Sequence, residues 1–293
     1  MKDYLVKSLA YEGQIRVYAI KTEETIRKAQ EIHATRSAAT AAFGRAITAT
    51  AMLSAASLKG QEKMTVKIMG DGPTGAIVVD GNAQGKVKGY LQNPQLHFPL
   101  KDNKQVDVRE AIGSKGVLSV TKDLGLKTPF TGQVPLVSGE LGEDFTYYLA
   151  ESEQIPSAVG LSVVLDEQGA VDEAGGFMIQ VMPQVEDEVI SQIEKKLATF
   201  PSLSGLMVEK TTPEEIIFEL CGKANVQILD KLSIAYQCDC SKARFARSLA
   251  SIAPRDLETM IQEDHGAEAT CRFCGQKYHF TEKELKKLAV SIK

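Results

Sequence analysis

The stretch "ATRSAATAAFGRAITATAMLSAASLKG", residues 34–60, decides the fold. Its alanines and other small or apolar side chains fit either a membrane span or a helix buried in a protein core. Arg36 and Arg45 interrupt it, and the longest uncharged run, 46–58, falls short of the roughly 20 residues a bilayer requires. The stretch therefore reads as a buried helix in a soluble protein, with no membrane association. Alanine has the best helix propensity, and Glu23 and Glu24 favour the positive end of a helix dipole. One helical run is expected from about Thr22 to Lys59, with Gly60 as its stop. Small side chains along it would let a neighbouring sheet or helix approach closely.

The sequence on either side of that helix is strand-like. Residues 13–20, "GQIRVYAI", alternate and are β-branched. Residues 63–91 read as three strands joined by the turns "GDGPTG" and "DGNAQG", whose glycines suit positive φ. "GDGPTG" lacks the GK[ST] ending of a phosphate-binding loop and leads into no helix, so it reads as a β-turn. Further alternating runs cover 116–124, 130–137, 158–166 and 175–183, and 141–156 is helix-like with Phe145, Tyr148 and Leu149 on one stripe. The fold class is α+β. It comprises a sheet-rich N-terminal domain with a long buried helix (1–180), a helical linker (181–232) and a small C-terminal metal-binding domain (233–293).

The linker changes character at Pro183. Residues 183–222 hold eight acidic and three basic side chains, which sets this segment apart from the chain's modest net charge of -4. Two or three short helices are expected, punctuated by Pro201, Gly205 and Pro213. Val185, Val189, Ile193 and Leu197 recur at four-residue spacing, a narrow apolar stripe beneath a charged surface. That pattern describes a helical connector docked on something. A strand, 225–238, then leads into the cysteines.

Four of the five cysteines sit in "YQCDCSK" (236–242) and "TCRFCGQ" (270–276). Cys238 and Cys240 form C-x-C, 30 residues precede the next thiol, and Cys271 and Cys274 form C-x-x-C. No signal-peptide core is visible in "MKDYLVKSLAYEGQ", so the expected compartment is the cytoplasm, where thiols stay reduced. Two short chelating pairs in that setting read as a four-thiolate zinc site with Cys238, Cys240, Cys271 and Cys274 as ligands. His265 and His279 lie nearby, but four cysteines already fill the shell. Gly275 fits a tight turn after the second pair, and Thr281 with Glu284 forms a capping-box pattern that begins a last helix. Between the pairs a helical insert is expected, ending at Gly266. Lys242, Arg244, Arg272 and Lys277 flank the thiolates and are expected to help keep them ionised. A tail of about 60 residues has little core of its own, so metal binding there is folding energy. Either thiol pair can also close as a small-ring disulfide after oxidation. Cys221, in "IIFELCG", has no partner in sequence and reads as a packed free thiol.

The two cysteine pairs at the end of a chain of this length resemble the bacterial redox-regulated chaperones of the heat shock protein 33 family. "RSAATAAFGRAITATAMLSAASLKG" (36–60), "GDGPTGAIVVDGNAQGKVKGYLQNP" (70–94) and the connector between 183 and 232 extend the resemblance over essentially the whole chain. The resemblance implies an ATP-independent holdase, inactive when reduced with one zinc on Cys238, Cys240, Cys271 and Cys274. Oxidation would form Cys238–Cys240 and Cys271–Cys274 disulfides, release zinc and unfold the tail and connector. The apolar surface so exposed would bind unfolding client proteins. The resemblance also implies a homodimer formed through the N-terminal domain. Cys221 departs from the family's set of four.

Two other function classes bear weighing. A zinc-ribbon nucleic-acid-binding or translation-associated protein would present a basic, aromatic-bearing face. Arg244, Phe245, Arg247, Arg272 and Phe273 offer a little of this, but the chain is acidic overall and lacks Trp, so nucleic acid is not the expected partner. A dithiol oxidoreductase would place C-x-x-C at a helix start after a strand, whereas "TCRFCGQKYHF" is followed by aromatic-rich sequence before the capped helix. No catalytic triad, paired carboxylate site or nucleotide loop is evident, and no enzyme is expected.

Overall fold

The computed structural model describes residues 2–99 and 106–291. The described residues form two compact units, divided between Gln237 and Cys238. The class is the expected α+β.

The first unit begins with β1 (Tyr4–Ala10), β2 (Ile15–Lys21), α1 (Glu23–His33) and α2 (Ser37–Ser57). The single helix expected over 22–59 is thus two helices. Ala34 takes a left-handed conformation (φ 49°) and ends α1. Residues 35–36 then redirect the chain. The break is held locally: Thr35 Oγ1 lies 2.7 Å from Thr40 Oγ1, and Gln30 Nε2 donates to Thr40 Oγ1 (3.2 Å) and to the Gly169 carbonyl (2.8 Å). At the new N-terminus, Ala39 N–H donates to the Leu96 carbonyl (3.2 Å) and Ser37 Oγ to that of Phe98 (2.7 Å).

β3 (Lys63–Gly70), β4 (Ala76–Asn82) and β5 (Lys86–Leu91) follow as the three expected strands. Gly75 and Gly85 carry the positive φ their turns require, 67° and 74°. Next come α3 (Val108–Ile112), β6 (Gly116–Asp123), β7 (Phe130–Pro135), α4 (Gly142–Glu151), β8 (Ser157–Leu165) and β9 (Val171–Val181). The connector forms α5 (Asp187–Ala198), α6 (Leu203–Val208) and α7 (Pro213–Cys221), and β10 (Val226–Ser233) and β11 (Ala235–Tyr236) complete the unit. Gly205 does not break a helix as expected. It lies inside α6, its N–H bound to the capping Ser202 hydroxyl (3.2 Å). The strand expected over 225–238 bends at Ile234 and joins two different sheets.

Those sheets sandwich α2. The first has the order β10-β1-β2-β9-β8, and the second β11-β5-β4-β3-β6-β7. Pairing is antiparallel throughout except between β11 and β5. Every residue of α2 from Ser37 to Ala55 is buried. Its small side chains give the close approach that the sequence implied. A Cβ on Gly44 would come within 2.9 Å of Val163 on β8, and one on Gly81 of β4 within 2.3 Å of the Ser54 hydroxyl. Arg45, the charge that argued against a membrane span, is buried and reaches Glu140 (2.5 Å).

The first sheet is apolar on both faces, because strand side chains alternate. Leu5, Tyr18, Ile20, Val163 and Met178 face the α2 core. Their neighbours Val6, Val17, Ala19, Val164, Phe177 and Ile179 join a second core with Val189, Ile193, Met207, Ile216, Ile217 and Leu220 of α5–α7. The connector is therefore docked on the outer face of this sheet. Val185 and Leu197, the ends of the four-residue stripe, pack at the margins of that core.

The entry to α4 depends on one buried carboxylate. Leu141 sits at positive φ (46°), and Asp144 accepts from the N–H groups of Val137 (2.7 Å), Ser138 (3.1 Å) and Leu141 (3.0 Å). Removing it orphans three backbone donors, each costing about 1–3 kcal/mol when buried. Asp144→Ala is expected to destabilise the first unit by about 3 kcal/mol, read as a lowered urea midpoint in far-UV circular dichroism. A midpoint unchanged within error would contradict this role.

Candidate metal centre

The second unit is small. α8 (Lys242–Leu249) and α9 (Pro254–Gln262) are followed by a hairpin, β12 (Gly266–Thr270) and β13 (Lys277–Thr281), and by α10 (Glu282–Ser291). The hairpin is not part of the sequence-based expectation, which placed only a helical insert before Gly266. Among the described residues Leu257, Ile261, Phe280 and Leu285 form the buried apolar core. Thr281 and Glu284 make the anticipated capping box, with Thr281 N–H donating to Glu284 Oε2 (2.9 Å) and Glu284 N–H to Thr281 Oγ1 (3.4 Å).

The hairpin shapes half of the thiol site. Its last rung pairs Thr270 with Lys277, so Cys271 and Cys274 occupy the connecting loop. Cys271 N–H donates to the Gln276 carbonyl (2.9 Å) and Gly275 N–H to that of Cys271 (2.8 Å). Gly275 closes this turn at φ 73°, as its position implied. The other half comes from the segment before α8, where Ser241 caps the helix by accepting from Arg244 N–H (3.3 Å).

The structure brings Cys238, Cys240, Cys271 and Cys274 together, with all four sulfurs within 4.8 Å of one another. Cys238 Sγ lies 3.8 Å from Cys271 Sγ, and Cys240 Sγ 3.4 Å from Cys274 Sγ. Four sulfurs about 2.3 Å from a central tetrahedral ion would stand roughly 3.8 Å apart, so the spacing and the soft donor set suit one metal ion. All five cysteines are free thiols.

The titration of these thiols reflects their crowding. Burial, reinforced by its neighbouring thiols, pushes Cys238 well above the ordinary thiol range. Cys274 is also raised, chiefly by burial. Burial acts to raise Cys240 too, but hydrogen bonds from the Tyr278 hydroxyl and the other thiols outweigh it and lower its pKa. The Tyr278 hydroxyl lies 3.1 Å from Cys240 Sγ, and this bond is the main reason its own pKa rises to about 12. Without a cation the site favours negative charge at Cys240 and resists it at Cys238 and Cys274. A divalent ion held by these sulfurs would stabilise all four as thiolates.

One expectation about the surroundings is modified by the ion pairs. Lys242 is engaged with Glu284 (2.6 Å), Arg244 with Asp239 (3.2 Å) and Lys277 with Glu268 (2.9 Å). These three cations are thus engaged with carboxylates, and the Tyr278 hydroxyl is a donor at the thiol cluster that the sequence reading did not name. Phe245, considered for a nucleic-acid face, packs on the Tyr278 ring at 5.1 Å. His265 and His279 are exposed and lie outside the sulfur cluster, near Glu282 (3.6 Å) and Glu268 (3.4 Å). Tyr278 could have been found from the alternation of "KYHFT" directly after the second thiol pair.

A model of the family described as Hsp33 protein matches residues 3–281. The chain belongs to the Hsp33 family. It is 57% identical over 286 residues to the 33 kDa chaperonin of Latilactobacillus sakei, covering 98% of each chain. It is 56% identical to that of Levilactobacillus brevis, covering 98% of this chain and 97% of the relative. The crystal structure of the Hsp33 homologue from Thermotoga maritima superposes with a TM-score of 0.90 at 34% identity, covering 99% of both chains. The resemblance seen in the cysteines, the alanine helix and the glycine turns therefore holds across the chain. Hsp33 proteins are a chaperone family and not an enzyme family. No helix among the described residues is long and apolar enough to cross a membrane.

Two variants test the centre of this Hsp33-family chain. Cys271→Ser removes a buried sulfur and is expected to abolish stoichiometric metal retention under competition with a chelator; full metal content would contradict its place among the ligands. Tyr278→Phe removes only the hydroxyl at Cys240. Groups that support a ligand are worth about 10–100-fold in metal affinity, so a weakening of about tenfold is expected in a chelator titration.

Proposed function

We propose that this chain is a redox-regulated, ATP-independent holdase of the cytoplasm, inactive while reduced and metal-bound. The metal is zinc, one per chain, held by Cys238, Cys240, Cys271 and Cys274. Bound there, zinc supplies cross-linking of the second unit and keeps four thiolates together at neutral pH.

Oxidation is the activating signal. Each thiolate pair loses two electrons to one peroxide, and with four protons drawn from solvent two equivalents of peroxide give two disulfides and four waters as the zinc ion leaves. Family resemblance assigns the pairs as Cys238–Cys240 and Cys271–Cys274. Disulfide formation removes the ligands, and the second unit loses its staple, with Leu257, Ile261, Phe280 and Leu285 the buried apolar core among the described residues. Unfolding then passes into the connector.

The observation that carries this reading is the second core of the first sheet. Val6, Val17, Ala19, Phe177 and Ile179 are covered by Val189, Ile193, Met207, Ile216, Ile217 and Leu220, on helices that precede the thiol-bearing unit in the chain. Lifting α5–α7 exposes a broad apolar sheet face, the surface an unfolding client protein would bind. The active form works as a homodimer formed through the N-terminal domain.

Cys221 supplies a readout. It is 1% exposed at the end of α7, and burial raises its pKa to about 12, so it reacts only when the connector opens. Peroxide with mild heat is expected to release one zinc per chain, consume four thiols, suppress aggregation of a denatured client and make Cys221 open to alkylation. Oxidised, zinc-free protein that leaves aggregation unchanged would overturn the proposal.

A further inference from the structure

The connector and the thiol unit are joined by β10 and β11, and β11 is only two residues long. Its rungs to β5 are Ala235 N–H to the Gly85 carbonyl (3.0 Å), the ladder bond between Val87 and Ala235, and Gln237 N–H to the Val87 carbonyl (2.8 Å). The next groups along the β5 edge are the N–H and carbonyl of Gly89. Among the described residues it is the Tyr236 side chain that meets them. Gly89 N–H donates to the phenol oxygen (3.2 Å), and the phenol donates to the Gly89 carbonyl (2.8 Å). His33 Nε2 lies 2.9 Å from the same oxygen. With the hydroxyl proton committed to Gly89, His33 supplies the hydrogen of that third bond. Tyr236 is 3% exposed, and its ring meets His33 edge-on at 6.3 Å. Two residues back, Ile234 is also buried and its N–H donates to the Asp3 carbonyl (3.0 Å).

This arrangement lies one residue before the boundary at Gln237. Unfolding that enters the first unit from Cys238 meets Tyr236 before it can reach β10 or α5–α7. So short a backbone ladder alone would make β11 a weak edge strand. The phenol adds three hydrogen bonds whose loss leaves buried partners unsatisfied.

We propose that Tyr236, held by Gly89 and His33, is the stop that sets how far unfolding of the thiol unit travels. While it stays seated, loss of structure ends at Gln237. Release of α5–α7 requires the phenol to leave its place on the β5 edge. The inference rests on the connector being the responding part, as proposed above.

A double-mutant cycle on the full chain tests it. Replacing Cys238, Cys240, Cys271 and Cys274 together by Ser mimics the unstapled tail and leaves Cys221 as the sole thiol. Alkylation at Cys221 is followed by mass spectrometry of its peptide, with and without Tyr236→Phe, in this background and in the reduced, zinc-loaded native chain. Tyr236→Phe is expected to accelerate alkylation about tenfold in the four-serine chain, or ~1.4 kcal/mol, and less than about twofold in the native chain. His33→Phe, which keeps a ring but loses the donor, should follow the same pattern at about threefold. Equal acceleration in both backgrounds, or none in either, overturns the stop. Aggregation suppression by the four-serine chain is scored separately: suppression without a Tyr236 effect leaves the proposed function standing and removes only the stop. If Cys221 of the four-serine chain reacts no faster than that of the native chain with either residue at 236, the connector does not respond, and both readings fall.

Discussion

A five-stranded sheet that is apolar on both faces must be covered twice, and the two covers here differ in kind. On one face lies α2, buried along its length between two sheets and accessible to neither water nor exchange of partners. On the other lie α5–α7, which meet the sheet through narrow stripes: Val189 and Ile193 from α5, and Met207 from α6. The acidic outer surface of this connector is at ease in water whether docked or not. Removing the first cover would destroy the fold. Removing the second would leave two sheets and α2 intact and expose Val17, Ala19, Phe177 and Ile179.

The second unit holds the complementary weakness. Among the described residues only Leu257, Ile261, Phe280 and Leu285 are buried as an apolar core in this unit, and so small a core calls for a staple. On the proposed reading a metal ion on the four sulfurs is that staple, and the folded state of the unit follows their chemistry. The Tyr278 hydroxyl meets the Cys240 sulfur, and Lys242, Arg244 and Lys277 are engaged with carboxylates.

Much of this was legible in the sequence, for identifiable reasons. Alternation and turn signals located eight strands of the sandwich, β2–β9, and alanine content with interrupting arginines identified α2 as buried. Cysteine spacing picked out the four sulfurs that converge. The failures have a common cause. The break at Ala34 is fixed by Gln30, Thr40 and Gly169, which meet only in the folded chain. Continuous apolar alternation from 225 to 238 gave no sign that Ile234 transfers the strand from one sheet to another. The β12–β13 hairpin is short and punctuated by charge, so its pattern was masked by the adjoining helices. The ion pairs of Lys242, Arg244 and Lys277 were invisible because their partners lie elsewhere along the unit.

The central claim is that loss of the thiol-held fold uncovers one face of the first sheet while the sandwich around α2 survives. Amide hydrogen exchange on the reduced, zinc-loaded and the peroxide-oxidised protein tests it most directly. The account predicts that residues 187–221 and 238–291 lose protection on oxidation while α2 and β3–β6 keep theirs. An oxidised protein in which 187–221 remain as protected as in the reduced form would contradict it.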